Sequence, residues 1–285
     1  MLKHRLIFGT LMAILFTAAI ILGGWLDGSL TSTLEDDKPL RATILWVLIA
    51  FLIIPAQLEF AALAKEKEIN VFKTVSIISS ILFASTWYWP QLFNISLQNY
   101  IFFLMAFSFL ALLVNQSFSY GTSAVLANCG TSCFSIIYLG LFSGFCLAIR
   151  IDMGLWPFLM FVFVVKSADI GAYATGKIFG KHKFSPGISP GKTWEGMAGA
   201  VLFAIIVAVI FADNCSIMSR PWAVVFGLCF AFIGQLGDLA ESMMKRDTQQ
   251  KDSSKNIPGF GGILDIIDSP LVAAPFAYLF FTFSL

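Results

Sequence analysis

Charge is the scarcest property of this 285-residue sequence. Asp, Glu, Lys and Arg together make up 12% of the residues, about half the share found in an ordinary soluble domain. So few charges cannot cover the surface of a soluble fold of this size, which excludes a conventional soluble enzyme. The 18 Lys and Arg residues are balanced by 17 Asp and Glu residues. The basic excess of a nucleic-acid-binding protein is therefore lacking, and no nucleic-acid partner is expected.

Cysteine and polar connecting sequence are also limited. The five cysteines lie in or beside apolar stretches, and Cys129 and Cys133 have no neighbouring His or carboxylate with which to form a metal site. We expect all five to be small apolar packing residues. The longest polar connectors span only 27–41, 177–195 and 245–263, which leaves no room for a separate soluble domain.

Hydrophobic residues, by contrast, make up 58% of the chain, and thirty residues are Phe. They form blocks of about 20 residues, long enough for a helix to cross about 30 Å of hydrocarbon. Only helices satisfy their own backbone hydrogen bonds in lipid, and lipid-facing strands would be shorter and would alternate in polarity. The sequence therefore predicts an all-α, polytopic integral membrane protein with about nine transmembrane helices, at 6–26, 42–64, 71–89, 98–119, 124–149, 155–176, 196–212, 221–244 and 264–284.

The first apolar block follows Lys3, His4 and Arg5. At about 20 residues it is longer than the hydrophobic region of a signal peptide, so we expect it to be retained as the first span. We divide the chain into N-terminal helices 1–5, over residues 1–150, and C-terminal helices 6–9 with the candidate functional loops, over residues 151–285. Both parts are expected to form one membrane domain.

The distribution of Lys and Arg predicts which side of the membrane each connector faces. If the N-terminus is cytoplasmic, thirteen Lys and Arg residues lie in cytoplasmic connectors, four lie in the opposite connectors, and Lys166 lies inside a span. This excess predicts a cytoplasmic N-terminus, and nine spans then place the C-terminus on the other side. The short loops and the lack of a targeting segment favour a bacterial inner membrane.

Five charged residues lie within the predicted spans or at their ends, where charge is costly and usually serves function. They are Glu59, Lys166, Asp169, Asp238 and Asp265. With the predicted orientation, all five lie in the cytoplasmic half of the membrane or near it. Structural ion pairs or snorkelling side chains are the alternative interpretation, above all for Glu59 and Lys166.

One face of the eighth predicted helix is polar along its cytoplasmic end. Its residues follow the helical spacing i, i+3, i+4 and i+7, and they are Asp238, Glu241, Ser242 and Lys245. A stripe that faces lipid would be apolar. This face must therefore look into protein or water.

A basic loop separates Asp238 from Asp265, which lie at the cytoplasmic ends of two consecutive helices. Mg²⁺ commonly binds one or two carboxylates and completes its coordination with water and substrate phosphates. Lysines then neutralise the outer phosphate oxygens. The arrangement predicts a site for Mg²⁺, with or without a second cation, that carries a polyphosphate. Gly261 and Gly262 would allow close backbone approach where the ninth helix begins.

A second basic loop, residues 177–195, faces the same side. Ser189 or Thr193 could cap the seventh helix, with Glu195 in its first turn. A helix N-terminus beside Lys192 is a favourable site for an anion. We therefore expect both loops to serve one site.

Three blocks of sequence resemble the motifs of one enzyme family. The first block reads Ser242-x-x-Lys245-Arg246-x4-Lys251-Asp252 and continues as Pro258-Gly259-x-Gly261-Gly262-x-x-Asp265-x-x-Asp268. The other two read Ser189-Pro190-x-Lys192-Thr193-Trp194-Glu195-Gly196 and Asp169-x-x-Ala172-Tyr173-x-x-Gly176-Lys177. Over residues 160–275 the chain resembles the phosphatidate cytidylyltransferase family, the CDP-diacylglycerol synthases. Two positions depart from the family pattern: Phe260 stands where His is usual, and Ile266 stands where Arg is usual.

The resemblance implies an enzyme that condenses CTP with phosphatidate in the membrane, giving CDP-diacylglycerol and pyrophosphate for phospholipid biosynthesis. It implies an active site that faces the cytoplasm and Mg²⁺ bound by Asp238 and Asp265. The expected catalytic residues are Asp238, Asp265, Lys245, Ser242 and Lys251. The expected substrate-binding residues are Lys192, Arg246, Ser189, Thr193, Asp169, Tyr173, Asp268, Gly261 and Gly262.

Other functions stay open at this point. A secondary transporter would use Glu59, Lys166 and Asp169 as a charged pathway, although transporter sites usually lie near the midplane between repeated halves and no repeat is visible. A scaffold without activity, or a relative acting on another lipid phosphate, would account for the two departures from the family pattern. Gly140-x-x-x-Gly144 favours a close helix contact, either within the chain or in a homodimer.

Overall fold

A computed structural model of the chain describes residues 2–30, 38–250, 252–254 and 261–284, and gives the backbone alone for residues 2–7. The described residues form nine helices and no strand, which confirms the predicted all-α membrane fold. In chain order the helices are α1 (Leu2–Leu26), α2 (Thr43–Lys65), α3 (Lys73–Ala84), α4 (Leu97–Ser119), α5 (Val125–Met153), α6 (Leu155–Phe179), α7 (Trp194–Cys215), α8 (Arg220–Asp247) and α9 (Leu264–Ser284).

The third predicted span, 71–89, is shorter in the structure than expected. Eight of the described helices are long and apolar enough to cross a membrane, whereas α3 has 12 residues and rises only about 18 Å. The turn after α3 still reaches the level at which α2 begins. There, the Tyr88 hydroxyl lies 3.0 Å from Thr43 Oγ1, and Gln91 Oε1 accepts a 2.9 Å hydrogen bond from the Arg41 backbone N–H. Residues 73–91 thus cross the same layer as α2 in the opposite direction.

Helix α5 contains two widened, π-helical stretches, Ile136–Leu141 and Ile149–Met153. Gly140, in the first stretch, and Gly144, between the two, pack directly against the backbone of α3. A Cβ atom on Gly140 would lie 2.6 Å from Ser80 Cα, and a Cβ atom on Gly144 would lie 2.9 Å from the Phe83 carbonyl oxygen. The Gly140-x-x-x-Gly144 pair therefore mediates a close contact within the chain.

Helices α6 to α9 pack in chain order, α6 on α7, α7 on α8 and α8 on α9. At the contact of α6 with α7, a Cβ atom on Gly171 would lie 2.5 Å from the Gly199 carbonyl oxygen. Small residues allow such close approach in lipid, where helix association depends on packing rather than on the hydrophobic effect. Helix α7 also has a buried stripe of alanines, Ala200, Ala204, Ala208 and Ala212.

Helix α4 lies at the periphery of the helix bundle. Its residues Phe102, Phe103 and Phe107 are each more than half exposed. In a bilayer this face contacts the lipid tails, which are as apolar as the side chains themselves. The exposed aromatic surface is therefore the ordinary exterior of a membrane protein.

A buried ion pair ties the end of α5 to the chain that links α1 and α2. Arg150 Nη2 lies 3.1 Å from Asp27 Oδ2, and both side chains are less than a tenth exposed. Burial opposes the charged form of Asp27. Hydrogen bonds from the backbone N–H of Ala42 and from Ser29, together with the Arg150 charge, outweigh burial and hold the pKa of Asp27 below its ordinary value.

Substitution of Asp27 is expected to destabilise the fold. Asp27→Asn should lower the free energy of unfolding by about 3 kcal/mol, because it leaves the buried Arg150 charge without its carboxylate. Thermal unfolding of the protein in detergent measures the change. Asp213→Asn is the matched control, since its 2.8 Å contact with Arg220 is exposed and such pairs contribute little. Equal losses in the two variants would contradict the anchoring role of Asp27.

Candidate active site

The polar ends of five helices meet at the end of the fold opposite Asp27. Helices α2, α6 and α8 end there, and α7 and α9 begin there. Lys67 Nζ lies 3.0 Å from Asp247 Oδ1, and Lys192 Nζ lies 2.8 Å from Asp238 Oδ2. The two motif loops therefore share one face of the bundle.

Three carboxylates form the centre of this face. One oxygen each of Asp238, Glu241 and Asp268 lie within 4.8 Å of one another. Asp238 and Glu241 are three residues apart on α8, and so they project from one side of that helix, while Asp268 comes from the first turns of α9. Glu241 and Asp268 are buried. Like charges this close repel each other and require positive partners.

Glu241 provides a direct test of whether a cation fits this cluster. Its Oε1 atom is buried and has no hydrogen-bond partner among the residues that the structure describes. A buried acceptor atom without a hydrogen-bond partner is costly, and a cation beside it removes that cost. Carboxylate oxygens are also the protein ligands that Mg²⁺ prefers. The donor set therefore fits the Mg²⁺ predicted from the sequence, and it adds Glu241, which the sequence-based assignment missed.

Lys245 bridges α8 and α9 at the edge of this cluster. Its Nζ donates a hydrogen bond to Glu241 Oε2, one turn earlier on α8, and another of 2.5 Å to Asp265 Oδ1 on α9. The side chain is buried. The ammonium group is thereby held beside the carboxylates, where it can neutralise a phosphate oxygen.

Asp265, the second predicted metal ligand, has both oxygens engaged. Oδ1 accepts the hydrogen bond from Lys245, and Oδ2 accepts from the backbone N–H of Gly262 at 2.8 Å and from the Ser253 hydroxyl at 2.7 Å. The three-carboxylate cluster forms without it. Metal binding by Asp265 stays a prediction, and the geometry favours Glu241 and Asp268 beside Asp238.

The turn before α9 is built from glycines because it wraps closely around these carboxylates. Gly261 has a φ of +98°, in the region that favours glycine. A Cβ atom there would lie 2.6 Å from Asp265 Oδ2, and one on Gly262 would lie 2.3 Å from Glu59 Oε2. The two glycines were predicted to allow close backbone approach. In the structure, the groups that approach them are the carboxylates of Asp265 and Glu59.

Glu59 of α2 caps the first turn of α9. Its carboxylate accepts hydrogen bonds from the backbone N–H groups of Ile263 at 3.1 Å and Leu264 at 2.9 Å, and from the Ser254 hydroxyl at 2.8 Å. These N–H groups have no partner within their own helix, and a negative charge is favourable there. The sequence marked Glu59 as a costly charge without showing this role, because its partners lie 204 and 205 residues away.

Lys192 reaches the cluster from the second motif loop. Its Nζ contacts Asp238 Oδ2 at 2.8 Å and donates a 3.0 Å hydrogen bond to the Gln235 carbonyl oxygen. On the other side, the Ser242 hydroxyl lies 3.4 Å from Asp238 Oδ1. The structure therefore brings together residues from the first and second motif blocks around Asp238.

Asp169 connects the third motif block to this site indirectly. Its Oδ1 accepts a 3.3 Å hydrogen bond from Gln235 Nε2, and its Oδ2 lies 3.4 Å from Lys166 Nζ. Lys166 Nζ also donates a 2.7 Å hydrogen bond to the carbonyl oxygen of Ile266. A cation from α6 thus lies beside one of the two positions that depart from the family pattern.

Two predicted phosphate ligands in the second loop have local roles. Thr193 Oγ1 accepts a 3.1 Å hydrogen bond from the Gly196 backbone N–H and caps α7, as expected for one of the two candidate caps. Ser189 lies in the loop before it, where its carbonyl oxygen accepts from the Lys192 backbone N–H. Neither residue is part of the carboxylate cluster.

The other predicted site residues lie farther from the cluster or outside the described structure. Tyr173 is 49% exposed, and Lys177 Nζ lies 5.6 Å from the centre of its ring. Arg246 is exposed and donates a 3.2 Å hydrogen bond to the Ile188 carbonyl oxygen. Lys251 and Phe260 lie outside the described residues.

Comparison with known proteins agrees with the motif blocks. The family model for the cytidylyltransferase family matches residues 3–284. A protein of Haemophilus influenzae named phosphatidate cytidylyltransferase is 44% identical over 133 residues, which are 45% of this chain and 46% of that protein. Proteins with the same name from Bacillus subtilis and Staphylococcus haemolyticus are 41% and 34% identical, over 50% and 72% of this chain and 54% and 76% of theirs.

The matched segment of the Haemophilus influenzae relative is less than half of its length, whereas the Staphylococcus haemolyticus relative is matched over about three quarters. The family model extends over almost the whole chain. The predicted resemblance is therefore confirmed at the level of the family. The chain belongs to the cytidylyltransferase family.

Proposed function

We propose that this protein is a phosphatidate cytidylyltransferase, which transfers the cytidylyl group of CTP to phosphatidate in the membrane and releases pyrophosphate. The observation that carries the proposal is the cluster of Asp238, Glu241 and Asp268, with Lys245 and Lys192 at its edge. The names of the similar proteins support it. A site at one end of the bundle also suits a reaction between a water-soluble nucleotide and a lipid headgroup.

The chemistry of this reaction requires charge neutralisation rather than a protein base. An oxygen of the phosphatidate phosphate forms a bond to the α-phosphorus of CTP. The bond from that phosphorus to the bridging oxygen breaks, and its electron pair leaves with pyrophosphate. Because the attacking phosphate is already ionised at neutral pH, the barrier comes mainly from charge repulsion and positioning.

The carboxylates and lysines divide these tasks. Asp238, Glu241 and Asp268 would hold Mg²⁺, which when bound neutralises the triphosphate and orients it. Lys245 and Lys192 then hold phosphate oxygens at the edge of the cluster. Ser242 donates a hydrogen bond on the same face of α8. In this assignment Asp265 positions Lys245 and the turn before α9.

The remaining predicted residues serve the periphery of the site. Arg246, Lys251 and Ser189 would contact the outer phosphates of CTP or the lipid headgroup. Asp169 supports the cluster through Gln235. Thr193, Gly261 and Gly262 would shape the loop and the turn around the substrates. Tyr173, which is half-exposed on α6, would contact the nucleotide or support the residues that do.

The site is proposed to face the cytoplasm from a bacterial inner membrane. The excess of Lys and Arg in the connectors on this side supports the orientation, and CTP is a cytoplasmic nucleotide. A transporter is supported less well. Lys166 donates a hydrogen bond to the Ile266 carbonyl oxygen of α9, Asp169 accepts one from Gln235 of α8, and Glu59 caps α9. These contacts support a role for the three charges in holding helices together.

The proposed function predicts lipid-dependent transfer of label from CTP. Purified protein in detergent, incubated with CTP labelled at the α-phosphate, phosphatidate and Mg²⁺, should give labelled lipid and an equal amount of pyrophosphate. Omission of phosphatidate or chelation of Mg²⁺ should abolish both products. Transfer to a different lipid phosphate but not to phosphatidate would contradict the proposed substrate, and no transfer to any lipid would contradict the activity.

Two acidic substitutions distinguish the alternative metal assignments. Glu241→Gln should lower turnover by about 100-fold or more and raise the Mg²⁺ concentration needed for half-maximal rate, because a cluster ligand loses its charge. Asp265→Asn should lower turnover with a smaller effect on the Mg²⁺ requirement, since Asp265 acts through Lys245. Glu68→Gln, an exposed residue after α2, is the control. The reverse order of Mg²⁺ effects would favour the pair Asp238 and Asp265.

Removal of the Lys192 ammonium tests whether the second motif loop serves the site. Lys192→Ala should raise the KM for CTP about 10-fold or more and reduce turnover, because a charge-assisted hydrogen bond to phosphate is lost. Steady-state kinetics with varied CTP measure both constants. Lys181→Ala, an exposed lysine of the same loop, should change neither. Unchanged constants in Lys192→Ala would exclude this loop from the CTP site.

A further inference from the structure

Tyr138 of α5 brings a buried hydroxyl to the carboxylate cluster. The residue is 4% exposed, and its Oη atom has no hydrogen-bond partner among the described residues. Tyr138 packs in one apolar cluster with Leu264 and Leu271 of α9, which lie four residues before and three residues after Asp268 and so on the same face of that helix. The three motif blocks do not include α5, so neither the resemblance nor the proposed function gives Tyr138 a role.

The ring of Tyr138 is fixed by aromatic and apolar neighbours. It stacks on Phe134 with ring centres 5.8 Å apart and an angle of 12°, and it meets Phe142 at 6.2 Å. It also packs in an apolar cluster with Phe60 of α2 and Leu264 of α9. The hydroxyl is therefore fixed by the packing of three helices and does not sample solvent.

The backbone around Tyr138 is a widened helical turn, and this turn affects where the side chain lies. Tyr138 lies in the π-helical stretch Ile136–Leu141, and such widened turns are frequent at functional positions. Gly140, two residues later, packs on the Ser80 backbone of α3. The widened turn lets one segment present the glycine to α3 and the tyrosine to the carboxylates.

Among the described residues, two buried atoms of this region lack a hydrogen-bond partner, Tyr138 Oη and Glu241 Oε1. The phenol can donate and the carboxylate can accept, yet they do not hydrogen-bond to each other. Buried polar groups normally have partners. A cation with an oxygen ligand of its own would provide a partner for each atom. The cation would contact Glu241 Oε1, and its oxygen ligand would accept a hydrogen bond from the Tyr138 hydroxyl.

We propose that Tyr138 completes the cation site, donating a hydrogen bond to an oxygen ligand of the cation that Asp238, Glu241 and Asp268 hold. That oxygen belongs to a water on the cation or to a phosphate of the bound nucleotide. The cation part of this inference is independent of the reaction, whereas the nucleotide part rests on the proposed function. Mg²⁺ usually retains several such oxygen ligands.

Tyr138→Phe removes the hydroxyl and keeps the ring. Without Mg²⁺, the thermal midpoint of the variant in detergent should equal or exceed that of the unsubstituted protein, because the lost hydroxyl has no partner in the part of the chain that the structure describes. The Mg²⁺ concentration needed for half of the thermal stabilisation should rise about 10-fold. A rise with Mg²⁺ alone identifies water as the acceptor, and a rise only when CTP is present identifies a phosphate oxygen.

Tyr278→Phe is the matched control at the opposite end of the fold. Its hydroxyl donates a 2.8 Å hydrogen bond to Asp152 Oδ2, so its loss should lower the thermal midpoint without Mg²⁺ and leave the Mg²⁺ response unchanged. As a second measurement, Tyr138→Phe should have no further effect on the Mg²⁺ response in a Glu241→Gln protein, because both groups act through one cation.

The outcomes separate this inference from the proposed function. An unchanged Mg²⁺ response of Tyr138→Phe, both with and without CTP, overturns the role of Tyr138, whatever the activity. If Tyr138→Phe weakens the thermal stabilisation by Mg²⁺ but the unsubstituted protein transfers no cytidylyl group, the role of Tyr138 is supported and the proposed function is overturned. A fall in the thermal midpoint without Mg²⁺ would show that the hydroxyl has a structural partner, and this too overturns the inference.

Discussion

The site depends on one buried ammonium group, that of Lys245, held between Glu241 of its own helix and Asp265 of the next. It joins α8 to α9 in a buried part of the site. Removal of the ammonium group, or of the carboxylates that it contacts, would leave an uncompensated buried charge. With Lys192, it faces four carboxylates: Asp238, Glu241, Asp265 and Asp268. If all are ionised, two negative charges remain, which is the charge that one divalent cation supplies. These ion pairs hold α8 and α9 together, and the remaining negative charge is what the proposed cation would neutralise.

The fold could be predicted from the sequence because a backbone in lipid must satisfy its own hydrogen bonds, which few structures do. Apolar blocks of about 20 residues must be helices there, and the predicted blocks agree with the helices to within a few residues except at α3. After α3 the chain completes its crossing in turns, where Tyr88 stacks on Trp46 of α2 with ring centres 4.8 Å apart. Block length alone cannot show where a helix gives way to turns, since aromatic turn residues are as apolar as helical ones. The π-helical stretches of α5 likewise have no signature in hydropathy.

Only part of the site could be predicted from the sequence, because several of its residues contact partners that lie far away along the chain. Asp238, Ser242 and Lys245 share one helix face, so their common role follows from spacing, and the same spacing contains Glu241. Asp265 and Asp268 are both charged residues of α9, and nothing local shows that the first turns toward Lys245 and Ser253 while the second joins the cluster. Glu59 and Tyr138 come from helices outside the motif blocks. Their positions depend on how α2 and α5 pack against α9, which only the folded structure reveals.

The cap that Glu59 provides has a consequence for how the protein is made. A ribosome delivers α2 to the membrane long before it delivers α9, so for most of synthesis the Glu59 carboxylate is present without the N–H groups that it accepts from. The final helix therefore docks onto a frame that is already inserted, and only then are its first turn, Asp265 and Asp268 brought into place. A chain interrupted before α9 would be embedded in the membrane yet would lack Asp268, one of the three carboxylates of the cluster. The proposed cation site is therefore complete only in molecules in which α9 has docked.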